Sequence, residues 1–522
     1  MDSAKTSTQT PGAMIVAAVC FAALADAVAS ITVSVGHADI TGDTHVAPDE
    51  FVWLDICYTG LKIFGFIVTP WLASQVALRR LLLAAALAMA AAAGLIATTI
   101  SFEVLAALRA VEGFAGGVAL VAGQTVLFLA YPRGTQPIVQ AIFATAAVVA
   151  PATVAPALQG WVVDTQTWTW AFAAIVPIAL LAVSFILLAD ERGAPGFPRR
   201  RLSGRALGLA LVSTFSLSFV LSQGTRWNWF DTPMIVWLCV LGTGSLALFL
   251  ANQRRRGEDA LFDPYIFRSQ DFTFAFAVSF VAGAALFGSA FLIPSFAGSV
   301  LNLTPTASGT LLAPSGASFV AGLLVAAVLI QRRSFPPIAC APLGVAAMMV
   351  SMWMLSGSTL ESGPRDMALA LLLRGLGLGL LFLAITLIAF SKITPSGLPS
   401  AVALFNVGRQ LGGMLGVAGL QTLIQHNVAV SSAALRAHLA SDAPSVAQRI
   451  AATASMLSER GVDSAASQDA ALLLLNQEIR SQAMLIAYGV AFQTIALFFV
   501  AAAPLIVGLK IVQSRLIRNS NV

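Results

Sequence analysis

Charge is scarce in this chain. Asp, Glu, Lys and Arg make up only 10% of its 522 residues, and 58% are hydrophobic, whereas a soluble domain is about a quarter charged. The deficit excludes a soluble enzyme and a disordered chain alike. It also excludes a nucleic-acid binder, because the net charge of +5 comes from basic residues scattered through short loops. Histidine is rarer still: His37, His45, His426 and His438 lie in or near predicted loops. Haem or di-iron chemistry needs several imidazoles at helical spacing within the apolar runs, so no metal site is expected. Cys20, Cys57, Cys239 and Cys340 each fall within an apolar stretch and read as small buried side chains rather than disulfides. No nucleophile–base set is visible, so the chain is not read as an enzyme. The dyad alternation of membrane-barrel strands is absent too.

What is abundant is long apolar sequence. A spanning helix needs about 20 such residues, and fourteen spans fit: 13–35, 51–73, 79–99, 102–130, 138–160, 168–189, 205–223, 232–251, 271–293, 308–330, 338–356, 367–390, 400–427 and 484–512. The first follows a polar tail, Met1 to Gly12, and reads as an uncleaved span rather than a signal peptide. With the N-terminus cytoplasmic, nineteen of the 29 Lys and Arg fall in cytoplasmic segments, six on the opposite side and four inside spans. A miscounted span would swap the loops downstream of it and erase that asymmetry, so the even count stands and both termini are cytoplasmic.

One connection is unlike the others. Residues 428–483 are long and mixed in charge, with Ala-rich runs that favour helix, and Pro444 and Gly461 are expected to break them into two or three pieces. The segment is either a solvated surface hairpin or a docking surface for a partner.

An ionisable residue inside a span is costly and marks function by default. Away from span ends there are few: Asp26 in the first span, Asp55 and Lys62 in the second, Arg109 and Glu112 in the fourth, and Arg374 and Arg409 late in the chain. They are too few to line a polar channel, which argues for a site. Arg109 and Glu112, three residues apart on one face, can pair locally as a purely structural couple. Lys62 shares a helical face with Tyr58 and Asp55, and could neutralise Asp55 or reach Asp26 on a neighbouring helix. Asp26 has no basic neighbour in its own helix; a hydrogen-bonded core acid is the bland alternative. Glycines cluster beside these charges: Gly113, Gly116 and Gly117; Gly375, Gly377 and Gly379; Gly408, Gly412, Gly413, Gly416 and Gly419. Such spacing allows close helix approach. Pro151 and Pro156 should bend the fifth span.

At these residues the chain resembles the fourteen-span drug:proton antiporters of the major facilitator superfamily, specifically the EmrB-like branch. The matching motifs run in order: Leu24-Ala-Asp26; Asp39-Ile-Thr-Gly42 with Pro48-Asp-Glu50, Trp53 and Tyr58; Arg109-Ala-Val-Glu-Gly113; Ala155-Pro-Ala-Leu-Gln-Gly160 followed by Trp168-Thr-Trp-Ala-Phe172; Leu312-Ala-Pro-Ser-Gly316; Arg374-Gly-Leu-Gly-Leu-Gly379; and Phe405-Asn-Val-Gly-Arg-Gln-Leu-Gly-Gly413. Three departures stand out. The loop after the second span keeps only its terminal Arg79 and Arg80, Ala155 and Gln159 replace two antiporter-motif glycines, and Glu112 stands where the branch usually has Gln.

The resemblance implies an all-α integral membrane protein of the major facilitator fold, with 14 transmembrane helices. Residues 1–189 would form one six-helix bundle, 190–260 two inserted helices, and 261–522 a second bundle carrying a periplasmic loop at 428–483. It implies proton-coupled efflux of amphipathic or weakly acidic drugs across the bacterial inner membrane, driven by the proton motive force with no cofactor. The partners would be the substrate, the lipid bilayer, a periplasmic adaptor and an outer-membrane channel. Asp26, Glu112, Arg109, Asp55 and Lys62 are the proton-coupling candidates. Tyr58, Gln124, Arg374, Asn406, Arg409 and Gln410 are candidates for lining the substrate cavity. Gly113, Pro151, Pro156, Gly160, Gly412 and Gly413 are the structural motif residues. The alternatives are a dedicated exporter of one metabolite or siderophore, and a transport-dead receptor or scaffold.

Overall fold

The structure is a computed structural model and describes residues 12–189, 196–333, 336–439, 444–460 and 463–520, without side chains over 501–520. Among the described residues there is no strand. The principal helices are α1 (Ala13–Val35), α2 (Pro48–Gln75), α3 (Leu78–Ile96), α4 (Phe102–Ala130), the broken α5 (136–165), α6 (Trp168–Leu188), α7 (Gly204–Gln223), α8 (Pro233–Arg256), α9 (Gln270–Ser299), α10 (Ala313–Arg333), α11 (Cys340–Ser356), α12 (Pro364–Phe390), α13 (Leu398–His438) and α14 (Ser464–Ser520). With no water in hydrocarbon, helices satisfy every backbone donor and acceptor internally, which is why the apolar runs take this form. Twelve of them are long and apolar enough to cross a bilayer by that measure alone. The other two are α5 and α13.

α5 starts as a regular helix, Gln136–Ala144, widens into a π turn over Thr145–Val149, and restarts after Thr153 as Val154–Thr165. Pro151 sits at the break. The backbone of Pro156 lies in the first turn of the restarted helix, where a proline costs no hydrogen bond. α13 is 41 residues long, about 60 Å at 1.5 Å per residue, and carries Asn406, Arg409, Gln410, Gln421, Gln425, His426 and Asn427 among its apolar residues.

The segment 428–483 forms the helical pieces that its composition favours. α13 runs through it without interruption to His438, a separate helix spans Pro444–Glu459, and α14 begins at Ser464. Pro444 opens the second piece, as its fixed φ allows at a first turn. Gly461 lies outside the described residues. The helix Pro444–Glu459 packs on α14, where Arg449 meets Glu478 at 2.8 and 2.9 Å. Two membrane helices thus continue outward as a helical hairpin.

Packing follows one theme in two places. The pair α2–α4 and the pair α10–α12 are among the most intimate in the molecule, and glycines make both possible. A Cβ on Gly113 would fall on the carbonyl of Tyr58, one on Gly117 on that of Lys62, and one on Gly65 on that of Phe114. Correspondingly, a Cβ on Gly375 would fall on the carbonyl of Ser315, one on Gly379 on that of Phe319, and one on Gly322 on that of Leu376. α7 and α8 pack on each other, and α7 lies along α2. Gly113→Ala and Gly375→Ala are therefore expected to lower the melting temperature of the detergent-solubilised protein by several degrees or to abolish its expression. Gly419→Ala, with nothing within 4 Å of the added carbon, should not. Equal stability of all three variants would refute the close-approach account.

Candidate functional site

Glycine contacts bring α2 and α4 together and let α1 lay a carboxylate against them. Asp26 is 2% exposed, and its Oδ1 occupies the place a Cβ on Gly116 would take. Lys62 Nζ donates to Asp26 Oδ2 at 2.7 Å, and Tyr58 Oη donates to Asp26 Oδ1 at 2.7 Å. Of the two partners the sequence allowed Lys62, the structure selects Asp26. Beside this triad, Arg109 Nη1 donates to Glu112 Oε2 at 2.7 Å and to the Ala29 carbonyl at 2.9 Å. Its guanidinium lies 4.2 Å from the centre of the Tyr58 ring. Asp55 approaches the same guanidinium at 3.9 Å, but its side chain is 44% exposed, which puts it on the rim. Arg109 Nε and Nη2 and Glu112 Oε1 are buried without a hydrogen-bond partner.

A chain of amides crosses from this cluster's helix to the second half. Asn406 Nδ2 on α13 donates to Gln124 Oε1 on α4 at 3.1 Å. Gln124 Nε2 donates to Gln140 Oε1 at 3.4 Å, and Gln140 Nε2 donates to Gln136 Oε1 at 3.3 Å. Gln136 Nε2 then reaches the carbonyls of Leu127, Phe128 and Tyr131 at the end of α4, where the helix runs out of donors. At the other end, Arg409 Nη2 donates to Asn406 Oδ1 at 2.6 Å. Buried polar networks of this kind are high-stakes, since each member unpaired would cost its full desolvation.

The second half repeats the scaffold with different chemistry. Glu112 immediately precedes Gly113 as Arg374 immediately precedes Gly375, and the two glycines make equivalent contacts, to Tyr58 and Ser315. Arg374 therefore holds the place of Glu112, and it is fully buried. It donates to Ser289 Oγ at 2.9 Å and Ser315 Oγ at 2.8 Å, with Nη2 left unpaired. No carboxylate lies within ion-pair distance of it among the described residues. One turn away begins a cavity with about 20 Å³ of free space, walled by Phe319, Leu378, Phe382, Phe405 and Arg409. That is room for about one water.

The sequence-derived candidates divide accordingly. Asp26, Tyr58, Lys62, Arg109, Glu112 and Asp55 converge on one cluster. Of the cavity candidates, Arg409 lines that small cavity, Arg374 lies one turn before Leu378 of its wall, and Gln410 is half-buried. Tyr58 belongs to the Asp26 triad, and Gln124 and Asn406 to the amide chain. Gly412 and Gly413 abut the Phe280 carbonyl and the Phe287 ring, holding α13 against α9. Gly160 is buried, Pro151 is half-buried, and the side chain of Pro156 lies outside the description. Arg79, whose usual loop motif is worn, donates to the carbonyls of Ile186 and Leu187 at the end of α6. Sequence reasoning missed Gln136 and Gln140, although two glutamines four residues apart in an apolar run signal a polar stripe. Ser289 and Ser315 carry no such signal.

A family model described as the Major Facilitator Superfamily matches residues 15–417. Among curated proteins, the chain is 25% identical over 387 residues to the multidrug export protein EmrB of Escherichia coli K12, covering 74% of each. It is 23% identical over 384 residues to the colistin resistance protein EmrB of Acinetobacter baumannii, covering 71% of this chain and 72% of that one. It is 24% identical over 428 residues to the multidrug resistance protein B homolog of Mycobacterium tuberculosis H37Rv, covering 80% and 77%. Among solved structures, the human organic anion transporter MFSD10 superposes with a TM-score of 0.57 at 11% identity, covering 94% of this chain and all of that one. At that identity the likeness concerns the fold alone.

The Asp26–Lys62 geometry fixes an energetic expectation. Removing one partner of a buried ion pair costs about 3–5 kcal/mol, whereas removing both can be nearly neutral. Lys62→Met should lower the melting temperature of the purified protein, and adding Asp26→Asn should restore most of the loss. Simple addition of the two losses would show that the residues do not act as a pair.

Proposed function

The chain belongs to the major facilitator superfamily, and from that premise we propose that it is a proton-driven exporter of amphipathic or weakly acidic small molecules in a bacterial inner membrane. The observation that carries this reading is the buried Asp26–Lys62–Tyr58 triad beside Arg109 and Glu112. A proton and the Lys62 ammonium compete for the same carboxylate. Movement that draws α1 away from α2 separates Asp26 from its cation, and a carboxylate without its cation in a low-dielectric setting binds a proton more tightly. Returning the cation expels the proton. Each proton carried inward delivers about 2.3 kcal/mol per 100 mV of membrane potential. That sustains roughly a fortyfold gradient of a neutral substrate at one proton per cycle, at about 1.4 kcal/mol per tenfold.

On this reading Asp26 is the principal coupling acid, Glu112 the second, and Asp55, on the rim, the least committed. Names of relatives that export drugs support efflux as the direction of transport. Asp26→Asn is expected to fold and bind substrate yet fail at uphill export, whereas Glu112→Gln should be milder. The test is efflux of a chemically diverse panel, including ethidium and carboxyfluorescein, from whole cells with and without an uncoupler. Export by wild type that ignores the uncoupler would end the proton-coupled reading, and wild-type rates in Asp26→Asn would move the site to Glu112 or Asp55. A broad or a single-compound response separates a multidrug pump from a dedicated exporter.

The Lys and Arg asymmetry supports cytoplasmic termini, which puts the hairpin 428–483 in the periplasm. Its exposed apolar residues, among them Val430, Met456 and Leu473, suit a periplasmic adaptor leading to an outer-membrane channel. A cysteine at the exposed Gln468 should react with an impermeant maleimide in outer-permeabilised cells and be shielded when the adaptor is co-expressed. Labelling only after lysis would reverse the orientation, and unchanged labelling with adaptor present would dismiss the contact.

A further inference from the structure

The two inserted helices have no part in the site described above, yet the loop joining them touches both halves. Thr225 Oγ1 and Thr422 Oγ1 of α13 are hydrogen-bonded at 2.8 Å, and Trp229 Nε1 donates to Thr422 Oγ1 at 2.8 Å. Thr225 Oγ1 also reaches the Ala418 carbonyl at 3.4 Å. On the other side, Arg226 is ion-paired with Asp49 at the start of α2.

The two attachments differ in kind. Toward α2 the contact is broad and apolar: Trp53 stacks against Phe215 and Phe219 at 6.0 and 5.2 Å between ring centres, and Ile56 joins Phe219, Val220 and Ile235 in a small core of their own. Toward α13 it is a few hydroxyl and indole hydrogen bonds converging on Thr422, of a kind that exchanges readily for water.

The backbone is bent to make that second contact. Asn228 and Trp229 both have positive φ, 51° and 50°, a conformation Asn tolerates and a bulky residue rarely adopts. Gly224 leaves room for the Trp229 ring, which a Cβ there would meet at 2.6 Å. Strain of this sort persists where surrounding structure enforces it and clusters at switch regions. Thr422 lies sixteen residues beyond Asn406 on α13, about 24 Å along the helix. α13 is thus tied to α4 through Gln124 near its start, and to the inserted pair through Thr225 and Trp229 just past its midpoint.

We propose that the loop joining α7 and α8 is a closure of the transport path on the hairpin side: a clasp that rides with α2 and releases α13 at Thr422 each time that side opens. The proposal rests on the transporter reading, and it gives the inserted helices a role in the cycle.

The test places Thr225→Cys and Thr422→Cys in a chain whose four native cysteines are replaced by alanine. Export of ethidium and carboxyfluorescein is followed before oxidation, after it, and after reduction with dithiothreitol. Oxidation is expected to cut export at least tenfold and reduction to restore it. A second variant, Asp49→Cys with Arg226→Cys bridged by a short bis-maleimide, should export at its unbridged rate, because that contact does not open. Thr422→Val should raise the fraction of molecules in which a probe cysteine at Asn406 is reached by a maleimide from the hairpin side. Undiminished export by the disulfide-linked protein, or failure of the first pair to cross-link, would overturn the clasp. Absence of any export from wild type would instead defeat the transporter reading.

Discussion

A charge carried into hydrocarbon must find its counter-charge inside the protein, and the arrangement around Asp26 answers that constraint. The carboxylate can be buried because Gly116 has no side chain, because α1 lies where Lys62 and Tyr58 can both reach it, and because Gly113 and Gly117 bring α2 and α4 close. Each condition depends on the others. Without the glycines the helices separate, and a separated Lys62 leaves a lone buried acid, which is far costlier than the pair. Packing of the first half and its electrostatics are therefore one arrangement.

Much of this was legible in the sequence. Long apolar runs set the helices, and the rarity of charge inside the runs singled out the residues that converge on one cluster. What stayed hidden has physical reasons. Whether Lys62 pairs with Asp55 or Asp26 depends on how α1 lies against α2, and both choices satisfy the same spacing. The break in α5 was expected from its prolines, but the π turn before them carries no compositional mark. The helical pieces of 428–483 were expected from its composition, but that α13 and α14 themselves run on into it carries no mark, because polar residues end the hydrophobic signal without ending the helix. The Thr225–Trp229–Thr422 contact joins residues nearly two hundred positions apart through ordinary hydroxyls, and no pattern along the chain announces such a pair.

The halves share a scaffold and differ in charge. Equivalent glycines draw α2 to α4 and α10 to α12, but the first half carries Asp26, Asp55 and Glu112 with Lys62 and Arg109, while Arg374 and Arg409 of the second have no acid at membrane depth. Serine hydroxyls and an asparagine amide hold those two guanidiniums instead. A titratable carboxyl thus exists on only one side of the interface. On the proton-coupled reading proposed above, a proton bound there lessens the pull between the halves without altering the second half.

That asymmetry gives α13 its significance. It bears Arg409, it is polar enough to fall outside the plainly apolar spans, and it is the helix that both ties hold: Asn406 to Gln124 near its start, Thr422 to the α7–α8 loop sixteen residues further on. On the proposed transport reading, substrate passes only when one tie yields at a time, because both yielding together would open a leak through the membrane. A single stiff helix meets that requirement if a tilt that draws one end away presses the other home. The glycines that seat it on α9, Gly412 and Gly413, lie between the two ties, where such a helix would pivot.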